Sequence, residues 1–402
     1  MPGMGTNKDA SGSDHIGQRL HGLDFLRAVM MSLGVVLHSA QLYLTMDMVD
    51  YYRDPMRSVS MDLTLIFINT FRMPTFYLLS GFFTALLLAR RGPDRMFRNR
   101  YQRLVIPFIL FLPPLAISMT LLRIVAANVM ATGDFGLDIN LIDRPRILWD
   151  NTHNLWFLYY LIMYVVSVWL ALQLCRYLPD DFCAHIRRWT ARTPAYSIVA
   201  IFTVSLSLAA IGSFSEAGRI TGKLSFMPSI SVYLYFGICF LTGWVLFQRR
   251  EDITVLARRG WGYMTAACFF LVVALVCFEL QGKSDAAGYQ LFHTLLSVST
   301  GLSVCFFMLA FVGLFCRYFH RHQPWIRYFS DSAYWVFISH SVPMILLALP
   351  MHSWEVVAEI KFLLVCSGTM LVCMLTYHRW VRNTRIGEIL NGRRYGTLPK
   401  PP

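Results

Sequence analysis

The sequence predicts an all-α polytopic membrane protein of about ten transmembrane helices with both termini cytoplasmic. Three observations carry that prediction. Of the 402 residues, 56% are hydrophobic and only 15% charged, and the mean hydropathy is +0.48; a soluble helical core of this size would need many more charged positions to cover its helices. Apolar stretches of about 20 residues, the length that crosses the hydrocarbon as a helix, recur at 23–45, 60–89, 104–127, 154–177, 195–214, 229–248, 261–280, 289–316, 331–350 and 355–377. The basic residues alternate from loop to loop. With the N-terminus inside, 25 of the 36 Lys and Arg fall in inside segments, 8 in outside loops and 3 (Arg27, Arg72 and Lys361) within spans, which is the positive-inside pattern.

The polar segment 1–20 is expected to be disordered. It is not a secretory signal, because the apolar stretch behind it is too long, carries Arg27 and lacks a small-residue cleavage site. A membrane domain over 21–380 follows, then a cytoplasmic tail over 381–402. In the first span, GLDFLRAVMMSLGVVLHSAQLYL, Arg27 and His38 stand eleven residues apart. Eleven residues make about three helical turns and about 16 Å of rise, so the two side chains share one face at two depths. Ionisable groups at such depths are costly unless paired or facing water, which makes them functional candidates.

The second span, NTFRMPTFYLLSGFF, places Arg72 two residues before Pro74 and a Ser80-Gly81 pair further on. Pro and Gly here are expected to break or kink the helix beside a cavity or another helix, Ser80-Gly81 also fitting a close-packing notch. The segment RRGPDRMFRNRYQR behind it marks the inside, and it also suits docking of a polyanion such as a nucleotide cofactor. Pro107, Pro113 and Pro114 interrupt the third span. The fourth opens THNLWFLYYL, with His153, Asn154 and Trp156 at the outer interface, where aromatic anchors are common. The fifth to eighth spans rest on hydropathy. The ninth, YFSDSAYWVFISHSVPM, puts Tyr334 and His340 in or near the bilayer.

The net charge of +13 follows from topology and calls for no nucleic-acid partner. The nine cysteines lie mostly in apolar stretches, Cys183 in an inside loop, without a Cys-x-x-Cys spacing, so neither a disulfide framework nor a metal site is expected. Histidine titrates near working pH, and the planar arginine fork suits phosphate or carboxylate. His38 and His340 together with Arg27 and Arg72 therefore point to transfer chemistry on an anionic donor.

These residues resemble the integral-membrane acyltransferases of acyltransferase family 3. That family has an arginine, ten residues and a histidine in its first helix, as Arg27 and His38 do. It also has an aromatic Ser-Gly-Phe segment, matched by FYLLSGFF, and an Arg-x-x-Arg-Leu ahead of a proline, matched by Arg100, Arg103, Leu104 and Pro107. A late Ser/Tyr-rich helix ending in histidine near a proline is matched by SDSAYWVFISHSVP. The resemblance covers nearly the whole chain and is nearest to the glucan-succinylating branch, which shares the LDxxRA start, the FRM and the LWFL.

The resemblance implies transfer of an acyl group, succinyl before acetyl, from cytoplasmic acyl-CoA to a sugar hydroxyl of a periplasmic glucan, in a bacterial inner membrane. Acyl-CoA would be a co-substrate, with no permanently bound cofactor. His38 would be the general base and Arg27 would position the donor, helped by Arg72, Arg100 and Arg103. Ser80, His153, Trp156, Tyr334 and His340 would bind substrate or support the site. One departure is that His340 is followed by Ser-Val-Pro, where members often have the proline one residue closer, so its role is less fixed than that of His38. Two alternatives stand beside this reading. Another surface polysaccharide or lipopolysaccharide is an acceptor that the outside loops, rich in Tyr, Trp, Asp and Asn, would select. A secondary transporter shares buried charges and broken helices, but no internal repeat of the spans supports it. The acyl group, the acceptor, the oligomeric state and any covalent acyl-enzyme stay open.

Overall fold

The computed structural model describes residues 8–46, 52–142, 151–177, 179, 194–282, 288–321 and 323–392. Among them there is no strand, only an isolated bridge between Asn151 and Ser225. Every expected apolar segment is helical: α1 (Lys8–Gln41), α2 (Val59–Arg100), α3 (Ile106–Thr132), α4 (Trp156–Leu174), α5 (Ile198–Gly212), α6 (Ile230–Gln248), α7 (Asp252–Gln281), α8 (Tyr289–Tyr318), α9 (Pro324–Ser339) with α10 (Ser341–Ala348), and α11 (Ala358–Thr376). A short α12 (Arg385–Asn391) follows. The expected loop charges Arg144, Arg146, Arg187, Arg188, Arg192 and Lys283, together with Cys183 and residues 393–402, lie outside the described residues, as do residues 1–7 of the polar leading segment.

Seven of these segments are long and apolar enough to cross a membrane, or eight if one bent pair is a single span. Three departures separate this from ten. The second and third expected spans run on as one helical stretch, Val59–Thr132, through a π-helical turn at Tyr101–Val105. The kink falls at Gly92, whose φ of +74° suits a residue without Cβ. Pro74, where a break or kink was expected, is carried inside α2. The fifth expected span is α5, whose 15 residues fall short of the roughly 20 that cross a bilayer. The ninth is broken: α9 and Ser341–Met351 meet at 64°. Pro343 has no N–H to bond the carbonyl one turn back, so the helix restarts at this point.

Packing separates helices that hydropathy does not. The apolar windows of α7 and α8 have equal hydropathy, 2.2, yet 22% of the first and 78% of the second are buried. Small residues explain the central place of α8. Gly301 lies against the backbone of Ser205 and Gly313 against that of Leu256, so closely that a Cβ would collide with a carbonyl. α2 and α6 meet in the same manner through a reciprocal pair, Gly81 on Phe240 and Gly243 on Leu78. Gly81 is therefore a packing notch.

The chain beyond α1 folds back on its end, with Asp54 N–H donating to Leu42 O and Ser58 N–H to Tyr43 O, each at 3.0 Å. Lys361 of α11 donates to both carboxylate oxygens of Asp54, at 2.8 and 3.1 Å. Both side chains are wholly buried. This pairs one of the three cations that the sequence leaves inside spans.

Candidate active site

α1 organises the site, because Arg27, Met31, Gly34 and His38 follow the spacing of one helical face. It packs against α2, α8, α9 and α11, so that face looks into the bundle. A cavity of about 530 Å³ opens beside the Arg27 end. Arg27, Ser80, Arg100, Arg103 and Tyr334 all line it, five sequence candidates from four separated stretches of chain.

The cavity is strongly basic at its rim. Arg27 pairs with Asp24 at 3.2 Å, a partly exposed contact, and its guanidinium lies over the Phe83 ring at 5.2 Å. Arg103 Nη2 donates to Asn391 O at 2.7 Å, and Tyr334 donates its hydroxyl proton to Arg103 O at 2.8 Å, so both ends of Arg103 are held. Arg100 Nε is buried without a hydrogen-bond partner. Arg321 and Arg327 join the lining, as do Leu390, Asn391 and Gly392 from the end of α12. Five arginines against two carboxylates, Asp24 and Asp331, around a concave site suit a ligand with several phosphates. Farther in, the walls become apolar with Met31, Phe76 and Phe157, and Ser80 is the polar exception there; its hydroxyl donates to Phe76 O at 2.9 Å.

His38 and His340 do not line this cavity. They form a second cluster with Arg72, about 10 Å farther along α1 by helical rise from Met31. The two imidazoles stack with centroids 5.2 Å apart and planes 30° from parallel. His38 is half-buried and His340 wholly buried. The amide oxygen of Gln41 lies 2.7 Å from His38 Nδ1; a carbonyl oxygen accepts, so Nδ1 carries the proton and Nε2 keeps its lone pair. The bend fixes His340 in the same tautomer. Carbonyls at a helix end have spare accepting capacity, and His340 Nδ1–H donates to Phe337 O at 2.7 Å and to Val336 O at 3.2 Å, the latter also accepting the backbone N–H of His340 at 3.0 Å. His340 Nε2 is buried and has no partner.

Aromatic rings separate the two compartments. Phe157 packs edge-on to Phe76 at 5.0 Å and to Phe337 at 4.4 Å, and Phe337 meets His340 at 5.9 Å. Any ligand reaching from the basic rim to the histidine pair would pass these rings.

His153 and Trp156 do not line the cavity. His153 is buried at the entry to α4 with φ +47°, its N–H donating to Asn151 Oδ1 at 2.7 Å. The Trp156 ring lies on Gly222, where a Cβ would strike it, and tilts on Phe236 at 5.8 Å. Their neighbour Asn154 instead reaches the bend, donating to Ser341 Oγ. Sequence reasoning missed Gln41 as the partner of His38, although the three-residue spacing in HSAQ offered the signal. It took Arg321 and Arg327 only as topological charge, and it took α12 as tail.

Residues 20–378 match the family model described as "Acyltransferase domain". The curated relatives include "Glucans biosynthesis protein C" from Escherichia coli O1:K1 / APEC and from Escherichia coli O157:H7 (strain EC4115 / EHEC), each 30% identical over 157 residues, which is 38% of this chain and 39% of the relative. No solved structure matches. A match over nearly the whole chain, on a helical bundle that gathers the arginine motif at a cavity and the two histidines behind it, places the chain in this acyltransferase family.

Proposed function

We propose that the protein is a membrane O-acyltransferase that moves a succinyl group, with acetyl as the alternative, from cytoplasmic acyl-CoA to a sugar hydroxyl of a periplasmic glucan. The observation that carries this reading is the single α1 face, with a five-arginine cavity at Arg27 and a histidine with a free Nε2 at His38. The excess of basic residues in alternate loops supports a cytoplasmic position for the Arg27 end and for both termini, in a multi-span chain of the bacterial inner membrane. The names of the Escherichia coli relatives support a glucan acceptor.

In this mechanism Arg27, Arg100 and Arg103 hold the donor's phosphates, and the thioester arm extends past Phe76 and Phe157. His38 Nε2 takes the proton from the sugar hydroxyl as its oxygen bonds to the thioester carbon. The carbon–sulfur bond then breaks, and the proton passes from His38 to the departing thiolate, giving sugar ester and free CoA. His340 lies beside His38 and shapes its electrostatic environment. No permanently bound cofactor is required.

The test uses purified full-length protein in liposomes with labelled succinyl-CoA outside and an oligosaccharide glucan inside. Labelled ester on the glucan is the expected result. Intact label crossing the membrane without ester would identify a transporter instead, and ester formed only with another surface polysaccharide would replace the acceptor.

A further inference from the structure

Arg72 is an electrostatic anomaly of the bundle. Its side chain is buried, with 5% exposure. It makes one hydrogen bond, Nε donating to Met30 O at 3.1 Å, and among the described residues no carboxylate neutralises it. The contrast with Lys361 is direct, since that buried cation has Asp54 within 2.8 Å. Removing a charge from water costs several kcal/mol per ion unless an opposite charge offsets it. A guanidinium held in this state is preorganised for an anion that arrives with a substrate.

The surroundings narrow which part of the substrate that is. Arg72 lies on the far side of the cavity's inner wall: it bonds the backbone of Met30, next to the lining residue Met31, and it is one turn of α2 from the lining residue Phe76. Its guanidinium rests against α1 at Gly34, where a Cβ would come within 2.7 Å of Nη2. Gly34 is one turn before His38. The phosphate-binding arginines belong to the rim, on the other side of Met31 and Phe76, so the phosphates are satisfied without Arg72. The group that passes the wall is the acyl end of the donor.

We infer that Arg72 binds the free carboxylate of a dicarboxylic half-thioester donor, and so selects acyl groups with an anionic terminus over neutral ones. This rests on the transferase reading above and adds a specificity-determining residue to it. When the thioester carbon is beside His38, a short aliphatic chain folds its distal carboxylate back toward Gly34, and the guanidinium N–H groups donate to its oxygens. Gly34 is part of the device, because any side chain there would displace Nη2.

The experiment compares succinyl-CoA, acetyl-CoA and succinamoyl-CoA, in which an amide replaces the distal carboxylate, as donors for the reconstituted wild-type protein. The charged donor is expected to exceed its amide isostere by at least about tenfold in kcat/KM, the scale of a charge-assisted hydrogen bond. In Arg72→Met and in Gly34→Ala that ratio is expected to collapse toward one, while Arg72→Lys keeps part of it. Equal use of succinyl-CoA and succinamoyl-CoA by the wild type would overturn the assignment, whatever the variants do. So would a folded Arg72→Met protein that loses all donors in equal proportion, which would put Arg72 in the chemical step. Absence of ester from every donor would overturn the transferase reading itself.

Discussion

His38 and His340 stack 5.2 Å apart with each Nδ1–H committed to a carbonyl oxygen, that of Gln41 for one and those of Phe337 and Val336 for the other. Both imidazoles therefore present Nε2 as a base, but in different settings: His38 is half-buried and His340 is sealed in. Of the two, His38 is the accessible one, and under the proposed function it is the base. Replacing His38 with Ala is expected to lower acyl transfer by about 10²- to 10⁴-fold, the range of a general base, while donor binding stays near the wild-type value. Transfer assays paired with equilibrium binding of acyl-CoA measure the two separately, and a fully active variant would refute the base.

His340→Ala should behave differently. It leaves Phe337 O at the α9–α10 bend without its imidazole donor, while Val336 O keeps the backbone N–H of residue 340, at about 1–3 kcal/mol for a buried unmade hydrogen bond. The expected result is a lower unfolding temperature in detergent and a reduced kcat with little change in donor KM. An unchanged melting profile would mean that the bend does not depend on this contact.

Gln41 gives a third measurement. Gln41→Leu frees His38 to adopt either tautomer, with loss of roughly 1 kcal/mol of orientation, or about fivefold in rate. Glu at the same position retains the acceptor and is expected to restore most of the activity. Equal loss in both variants would indicate a packing defect rather than a tautomer effect.

What was legible in the sequence follows from range. The Arg27–His38 spacing was readable because helical periodicity is local, and every apolar segment was readable because hydropathy needs no partner. The break at His340 was not, because whether Pro343 bends a span or starts a new one depends on the neighbours that catch the freed carbonyls. Ser80 and Gly81 carried two rival readings that the structure divides between them, Ser80 going to the cavity and Gly81 to the α6 contact. Arg321 and Arg327 were hidden because a cation beside a span reports topology whether or not it also faces a ligand. For Trp156 the helix start was legible but the packing was not, because Gly222 and Phe236, on which its ring lies, are far off in sequence.

The end of α12 offers a test of the cavity's proposed donor role from a segment that sequence assigned to the tail. Gly392 adopts φ +69° and faces the Arg103 guanidinium so closely that a Cβ would collide with it, while Arg103 bonds Asn391 O. Gly392→Val is expected to displace Arg103 and raise the donor KM several-fold, with a smaller effect on kcat at saturating donor. Arg103→Met should do the same. A rise in KM for the sugar acceptor instead would move this end of the cavity from donor to acceptor.

The Asp54–Lys361 pair makes a prediction with an internal control. Both groups are fully buried, so removing one leaves an uncompensated charge, at about 3–5 kcal/mol. Lys361→Met alone is therefore expected to melt well below the wild type, and Asp54→Asn with Lys361→Met to recover much of the loss, because no charge is then stranded. Asp54 also carries the backbone contact to Leu42, just beyond Gln41 and His38. If the pair serves only stability, the double variant should regain activity in step with its melting temperature. If it positions the end of α1, the double variant should fold well yet transfer slowly, because the loop's charged tie to α11 is gone while its backbone tie to α1 remains. Thermal unfolding and turnover measured on the same preparations separate these outcomes.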